Sequence, residues 1–336
     1  MTTVYRPILK IAWQIIWRAK YLWFFGFFAA FMASSGELNT VINNFSDLNS
    51  GISVLDNISH NLSTGIFSNV FDNLGIFIGS FDLMNVLLLL ILLIVLLFFV
   101  WLSVVAEAGL IAGAYREYHK QTSNFVLSFK TGKQNFWQVL GLNILGKVII
   151  YLVLLGVSLP FLWAYLKTNS SIWQLILFLL SFIVLIPLAA IISFLIKYAV
   201  MYVVLRKEKM RQAIKSGWQL FLKNWIVSLE MAILMFLITV TVGLAMILVA
   251  IILAIPLAFI LYLLYALNIS GSMMVGVVLA LIVVALVLFL FGAMLMAYQN
   301  TAWVLLFDRL NEGVVYPKIT RLIARLMTKK NKTLDF

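Results

Sequence analysis

The sequence predicts an all-α integral membrane protein with six transmembrane helices, arranged as three hairpin repeats that each follow an interfacial amphipathic helix. Three observations support this prediction. The chain is 64% hydrophobic and 11% charged, whereas soluble domains are about half apolar and about a quarter charged. Several segments exceed the roughly 20 apolar residues that cross a bilayer. Lysine and arginine are concentrated in alternate connections between these segments, as the positive-inside rule requires.

The apolar segments define the six predicted membrane helices. They cover approximately residues 13–33, 83–115, 138–166, 172–205, 226–265 and 273–307. We interpret the first as a retained helix, because a long segment with two tryptophans precedes its apolar run, unlike in a signal peptide. We expect the fifth to tilt, to break near Gly243 or Pro256, or to project from the membrane. Pro160, Pro187 and Pro256 are expected to interrupt helices three, four and five, although proline is also common in membrane helices.

The basic residues predict the orientation of the helices. Of the 24 lysines and arginines, 21 lie before the first helix, in the second and fourth connections, or after the last helix. On the opposite side we find only Lys167, while Lys147 and Lys197 lie inside apolar segments. We therefore expect a multi-pass protein of the cell (cytoplasmic) membrane with both termini in the cytoplasm.

Two polar segments flank the predicted bundle. The outer loop 34–82 contains no lysine or arginine, and its apolar residues between Leu55 and Leu74 recur at helical spacing. This loop is either an amphipathic helix or partly disordered. The tail 316–336 has a basic stripe opposite an apolar one, which predicts a basic amphipathic helix along the cytoplasmic membrane surface.

A short motif recurs three times, as KIAWQ, KTGKQ and KSGWQ. Each copy begins a polar stripe at steps of four residues, opposite bulky apolar side chains, which is typical of an amphipathic helix at a membrane interface. The basic stripe comprises Lys10, Gln14, Arg18, Lys130, Gln134, Gln138, Lys215, Gln219 and Lys223.

The ends of the predicted hairpins also match. Glu107, Lys197 and Gln299 each stand nine residues before Arg116, Arg206 and Asp308. The chain therefore reads as one membrane domain, residues 1–336, in which repeats share one orientation around an axis along the membrane normal. The repeats cover approximately residues 8–118, 125–207 and 211–310.

The string AIKSGWQLFLKNW, residues 213–225, resembles the recurring element of six-helix prokaryotic membrane proteins related to the membrane domain of glycerophosphodiester phosphodiesterases. The resemblance covers nearly the whole chain in architecture. It implies a fold and a membrane location. The phosphodiesterase chemistry of that group belongs to a separate soluble barrel that this chain lacks, so no catalytic residue is carried over.

A layer of charged and polar residues is predicted inside the membrane helices. It comprises Glu107, Lys147, Lys197, Glu230 and Gln299. Ionisable residues in membrane segments are costly and often functional. We expect the four charges to lie near the cytoplasmic face, either as ion pairs that lock the bundle or as a site for a headgroup or small ligand.

No catalytic, metal-binding or cofactor-binding residue is predicted. There is no cysteine, His60 and His119 lack metal-ligand spacing, and His119 is expected to be a solvated loop residue. Positive-inside bias and anionic lipid explain the basic face, so no nucleic-acid partner is expected. The predicted function is a non-enzymatic membrane scaffold or accessory protein that contacts membrane lipids, with anionic headgroups at the cytoplasmic face. A transporter or lipid-handling protein with a cavity between the repeats is the alternative; an enzyme acting on lipid is a third reading.

Overall fold

The computed structural model describes residues 5–33, 83–167, 171–266 and 272–313, and within these ranges the chain is helical with no strand. The all-α class is therefore confirmed. The helices of the described ranges are α1 (Tyr5–Arg18), α2 (Tyr21–Ala33), α3 (Leu83–Tyr118), α4 (Phe125–Gln134), α5 (Phe136–Lys167), α6 (Ser171–Arg206), α7 (Met210–Lys223), α8 (Trp225–Ala266) and α9 (Ser272–Asn311).

Five of the described helices are long and apolar enough to cross a membrane. The candidate spans are Val86–Tyr118, Phe136–Val157, Ile183–Arg206, Trp225–Leu263 and Val275–Asn311. The chain is thus a multi-pass membrane protein. Helix α2 is also apolar but has only 13 residues, about 20 Å at 1.5 Å per residue, against a hydrocarbon core of about 30 Å. A sixth span through α2 stays a prediction.

The first predicted helix, residues 13–33, is divided in the structure. Helix α1 ends at Arg18 and α2 begins at Tyr21, with the indole nitrogen Nε1 of Trp23 donating to the carbonyl of Ile16 at 2.9 Å across the corner. The division has a physical reason, because α1 buries apolar residues on one side and exposes Lys10, Gln14 and Arg18 on the other, while α2 is apolar on all sides. The two segments therefore require different surroundings.

The fifth predicted helix is continuous. Helix α8 runs for 42 residues through Gly243 and Pro256, so of the three alternatives the break is absent. Pro187 likewise lies inside α6, and α5 continues through Pro160. Of the two readings of these prolines, the one in which proline is ordinary in membrane helices therefore holds, because a proline removes only one backbone donor and membrane helices tolerate this loss. At about 63 Å, α8 exceeds the hydrocarbon thickness.

The chain divides into two compact units, one of Met1–Ala30 with Ser103–Phe336 and one of Phe31–Leu102. In the second unit, the Phe98 ring lies on the helical surface of α3 beside Phe99, with 6.3 Å between the ring centroids. The prediction of a single membrane domain is not tested by this division. The predicted outer-loop helix between Leu55 and Leu74 and the basic tail 316–336 lie outside the described residues.

The core of the first unit lies at one end of its long helices. The C-terminal segments of α3, α6 and α9 are buried on nearly all sides, including Val104–Ala106, Tyr198–Met201 and Ala302–Phe307. Helices that are apolar and buried all round occupy the centre of a bundle. We call this region, together with α1, α4, α7 and the adjoining ends of α5 and α8, the basic end.

Small residues let α1, α4 and α7 pack closely at the basic end. Ala12, Gly132 and Gly217 are buried at the eighth position of α1, α4 and α7. A Cβ atom on Gly132 would lie 2.2 Å from the carbonyl oxygen of Val105 in α3. On Gly217 it would lie 3.1 Å from the backbone nitrogen of Ala199 in α6. Helix α4 therefore packs on α3 and α7 on α6, while α1 packs on α9.

Candidate functional site

The predicted basic stripe is exposed throughout. Every one of its members, from Lys10 in α1 to Lys223 in α7, has an exposed side chain. Trp13, Trp17 and Trp218 beside the stripe are also exposed. The opposite face of each helix packs on the bundle, so the charged side chains point away from the protein core.

One part of the stripe differs from the prediction. Lys130 and Gln134 belong to α4, but Gln138 belongs to α5. Asn135 caps the end of α4, where its Nδ2 atom donates to the carbonyl of Thr131 at 2.9 Å. The corresponding stripes of α1 and α7 each lie on one uninterrupted helix. Helical periodicity alone does not reveal a cap of this kind, although asparagine is a common residue at helix ends.

Three of the predicted charges come together at the basic end. The half-buried Glu107 of α3 accepts a hydrogen bond from Nδ2 of Asn143 in α5, with 2.7 Å between Nδ2 and Oε2. Lys197 of α6 and Lys147 of α5 lie within electrostatic range of the same carboxylate. Asn143 was missed in the sequence analysis. The sequence could have indicated it, because Asn143 lies four residues before Lys147 and the two therefore share one helix face.

Lys197 also contacts an aromatic ring. Its Nζ atom lies 4.6 Å from the ring centroid of Trp303 in α9, a cation–π geometry. Trp303 is buried, so the contact is shielded from solvent. We refer to Glu107, Asn143, Lys147, Lys197 and Trp303 as the charged cluster. It connects four helices that are distant in sequence. A direct ion pair within it stays a prediction.

The other members of the predicted layer have separate partners. Glu230 of α8 accepts a hydrogen bond from the hydroxyl of Tyr5, a buried residue at the start of α1. Gln299 of α9 donates from Nε2 to the hydroxyl of Thr239 in α8 at 2.6 Å. A further bond joins the hydroxyls of Tyr198 and Ser228 at 2.7 Å. Polar contacts of this kind hold membrane helices together where the hydrophobic effect does not.

His119 has a more specific environment than a solvated loop residue. Its Nε2 atom lies 3.1 Å from Oδ2 of Asp308, which is buried at the end of α9, and its ring lies 4.4 Å from that of Tyr115. His119 therefore connects the ends of α3 and α9. Its side chain is still one-third exposed, so the prediction was correct about solvent access and missed the carboxylate partner.

The chemistry available at the charged cluster is binding by charge and hydrogen bonds. It offers one carboxylate, one amide, two ammonium groups and an indole face. Among the residues that the structure describes, no group of three or more histidine, aspartate or glutamate side chains is arranged to hold a metal ion. Comparisons with protein-family models, curated proteins and solved structures find no match to this chain. The functional argument therefore rests on geometry.

Proposed function

We propose that this protein is a non-enzymatic integral membrane scaffold or accessory protein that contacts lipid of the inner leaflet. The proposal includes six membrane helices, with α2 as the first, and both termini in the cytoplasm. It also includes location in the cell membrane and anionic lipid headgroups as partners of the basic end. The family resemblance carried by residues 213–225 is part of the same proposal.

The proposed three-repeat architecture is supported by matching structural positions. Helices α1, α4 and α7 begin at Tyr5, Phe125 and Met210, each five residues before the lysine of the recurring motif. Burial repeats in the same register, at Ile8, Ser128 and Ala213 and again four residues later.

The packing partners of these helices follow a cyclic order. Helix α4 of the second repeat packs on α3 of the first, and α7 of the third packs on α6 of the second. Helix α1 of the first repeat packs on α9 of the third, where the rings of Trp13 and Tyr298 lie 6.0 Å apart. Such an order is the one expected of three repeats arranged around an axis along the membrane normal.

The observation that carries the lipid-contact proposal is the exposed basic stripe with its flanking tryptophans. A surface that combines cations with tryptophan is suited to the headgroup region of a bilayer. Each lysine or arginine near an anionic leaflet contributes about 1 kcal/mol of attraction before screening. Repetition of the stripe on three helices gives the basic end a membrane-facing rim.

Lipid contact is tested by thermal unfolding of the full chain in nanodiscs of anionic or neutral lipid. We expect the wild type to gain stability in anionic lipid, and the triple change Lys130→Gln, Lys215→Gln and Lys223→Gln to remove most of that gain. The matched control changes the exposed Lys120, Lys207 and Lys209 to glutamine, which removes the same charge outside the stripe. Equal losses in the two triple variants would contradict a specific role for the stripe.

Orientation is tested in the same chain, which has no cysteine of its own. Single cysteines that replace Ser50 and Lys330 should react with a membrane-impermeant reagent from opposite sides of intact cells, with residue 50 outside. Residue 50 belongs to the predicted outer loop and residue 330 to the predicted cytoplasmic tail. Labelling of both from one side would therefore contradict the six-helix proposal.

A transporter or lipid-handling protein is the second candidate, and the charged cluster favours it. Charged residues that face a bundle interior mark ligand or ion pathways in many membrane proteins. Lys197→Cys gives the discriminating measurement. Reaction with an impermeant thiol reagent from both membrane faces would support alternating access. Reaction from one face or neither supports the scaffold.

A further inference from the structure

The charged cluster reaches the surface of the bundle. Glu107, Asn143, Lys147 and Lys197 are each half-buried, and neither ammonium nitrogen is fully enclosed by protein. Both ammonium groups lie within electrostatic range of the Glu107 carboxylate. The four side chains come from α3, α5 and α6, so they meet where three helices join. At such a surface a group from the surrounding membrane can contact them without entering an enclosed cavity.

The polar groups of the cluster retain hydrogen-bonding capacity. Oε2 of Glu107 accepts the bond from Asn143, which leaves Oε1 to accept another. Within the described part of the chain, Lys147 and Lys197 donate no hydrogen bond to the protein, and the neighbour of the Lys197 ammonium is the ring of Trp303. Each ammonium carries three donors. The cluster therefore offers both donors and an acceptor to a ligand.

An apolar surface continues from the cluster along α5. Beside Asn143 and Lys147 lies a stripe of apolar residues at steps of four, Ile144, Val148 and Leu152, which are 52%, 47% and 62% exposed. Because α5 starts at the basic end, this stripe leads from the charged groups toward the apolar part of the membrane. A charged site that continues into an apolar stripe matches the amphiphilic shape of a phospholipid.

The cluster lies at the depth of the helices that carry the basic stripe. Gly132 of α4 packs on Val105, two residues before Glu107 in α3. Gly217 of α7 packs two residues beyond Lys197 in α6. If α4 and α7 lie in the headgroup layer, as their lysines and tryptophans favour, the cluster lies there too. The ligand it meets is then a headgroup of the inner leaflet.

We infer that the charged cluster binds one inner-leaflet phospholipid whose headgroup carries a phosphate and a primary ammonium, as in phosphatidylethanolamine. Lys147 and Lys197 bind phosphate oxygens, and Oε1 of Glu107 accepts a hydrogen bond from the lipid ammonium. A headgroup without a cation would leave the carboxylate beside a like charge. A quaternary ammonium, as in phosphatidylcholine, has no N–H to donate. The inference rests on the proposed function, because it requires the basic end to lie in the inner leaflet.

The test is native mass spectrometry of the purified full chain in neutral detergent. The chain is titrated separately with dioleoylphosphatidylethanolamine and dioleoylphosphatidylcholine, which have the same acyl chains and no net charge. The basic stripe responds to net charge, so a difference between these two lipids reports on the cluster. We expect one ethanolamine lipid to bind at least about fivefold more tightly than the choline lipid, since a hydrogen bond between charged groups is lost with choline. Equal affinities would overturn the inference.

Glu107→Gln removes the charge that recognises the lipid ammonium and keeps the shape of the side chain. The preference for ethanolamine over choline should fall to within about twofold, and affinity for dioleoylphosphatidylglycerol should rise. Glu117→Gln is the matched control, because Glu117 is also half-buried in α3 and lies outside the cluster; it should keep the preference. A preference that survives Glu107→Gln, or that both changes abolish, would contradict the site.

Lys147→Gln keeps the test decisive if Glu107→Gln does not fold. It should weaken binding of the ethanolamine and choline lipids alike, at least about threefold, because both carry the phosphate. The exposed Lys133 provides the control, and Lys133→Gln should change neither affinity by more than about twofold. Unchanged affinities in Lys147→Gln, or equal losses in the two variants, would overturn the inference.

Failure of this inference and failure of the proposed function give different results. If stability in anionic nanodiscs depends on the stripe lysines but the chain shows no preference for the ethanolamine lipid, the cluster site is wrong and the scaffold proposal stands. If the preference exists and depends on Glu107 while the two triple lysine variants behave alike in nanodiscs, the cluster site stands. The proposed role of the stripe is then the part that fails.

Discussion

The two ends of the same helices are built differently. In α9, the segment from Val275 to Phe291 is largely exposed, whereas Ala297 to Leu310 is almost entirely buried. Helix α8 shows the same change in the opposite chain direction, with Met231 buried near its start and most of its later side chains exposed. Both exposed segments are strongly apolar. Lipid solvates such surfaces, so they need no protein partner.

The surroundings of the glycines differ in the same way between the two ends. At the basic end, a Cβ atom on Gly132 would lie 2.2 Å from the backbone oxygen of Val105 in α3. A Cβ atom on Gly243 or Gly292 would meet nothing within 4 Å. Close backbone approach through small residues is the main way in which membrane helices associate specifically. The comparison indicates that packing specificity is concentrated at the basic end.

The strongest test of the comparison is a set of glycine-to-alanine substitutions. Gly132→Ala should lower the free energy of unfolding by about 3 kcal/mol, because two backbones must separate to admit the methyl group. Gly243→Ala and Gly292→Ala should be neutral or stabilise the protein by about 0.5–1 kcal/mol, since alanine is the better helix former. Thermal or denaturant unfolding in detergent measures the stability of all three variants. Similar losses of stability at the two ends would show that packing is not more specific at the basic end.

A second test concerns the charged cluster at the basic end. Glu107→Gln should lower the free energy of unfolding by about 2 kcal/mol, because a hydrogen bond to a charged group is weakened and the nearby ammonium groups lose a counter-charge. Adding Lys197→Gln should restore part of this loss. The measurement is a double-mutant cycle on the same unfolding assay. Additive losses would mean that Glu107 and Lys197 do not interact energetically.

The smallest expected effect concerns the link between α1 and α8. Tyr5→Phe removes the hydroxyl that donates to Glu230 and keeps the ring, so we expect a loss of about 1 kcal/mol. Hydrogen exchange should also increase in α1, since the helix loses one of its anchors. Tyr151→Phe is the matched control, because the Tyr151 side chain is exposed in α5. If both changes have the same effect, the Tyr5–Glu230 bond does not contribute to closing the bundle.

Hydropathy and helical periodicity predicted the coarse architecture well. The helix containing Glu107 was predicted over residues 83–115 and runs from Leu83 to Tyr118. The exposure of the Lys215–Gln219–Lys223 stripe also matches its sequence periodicity. Predictions of helix ends from single residues were less successful. Pro256 does not break α8, and the corner after Arg18 was placed inside a helix, since both outcomes depend on what surrounds the backbone.

The sequence by itself determined the helical class, the apolar stretches of the five candidate spans and the exposed polar residues of α1, α4 and α7, because these follow from composition and from a period that each segment carries alone. The tertiary structure decided the partners. Glu107 meets Asn143 and Lys197, Glu230 meets Tyr5, and Arg116 retains an unsatisfied nitrogen. These outcomes depend on the rotation of each helix about its axis and on which helices become neighbours. Both are properties of the packed bundle, and no single segment specifies them.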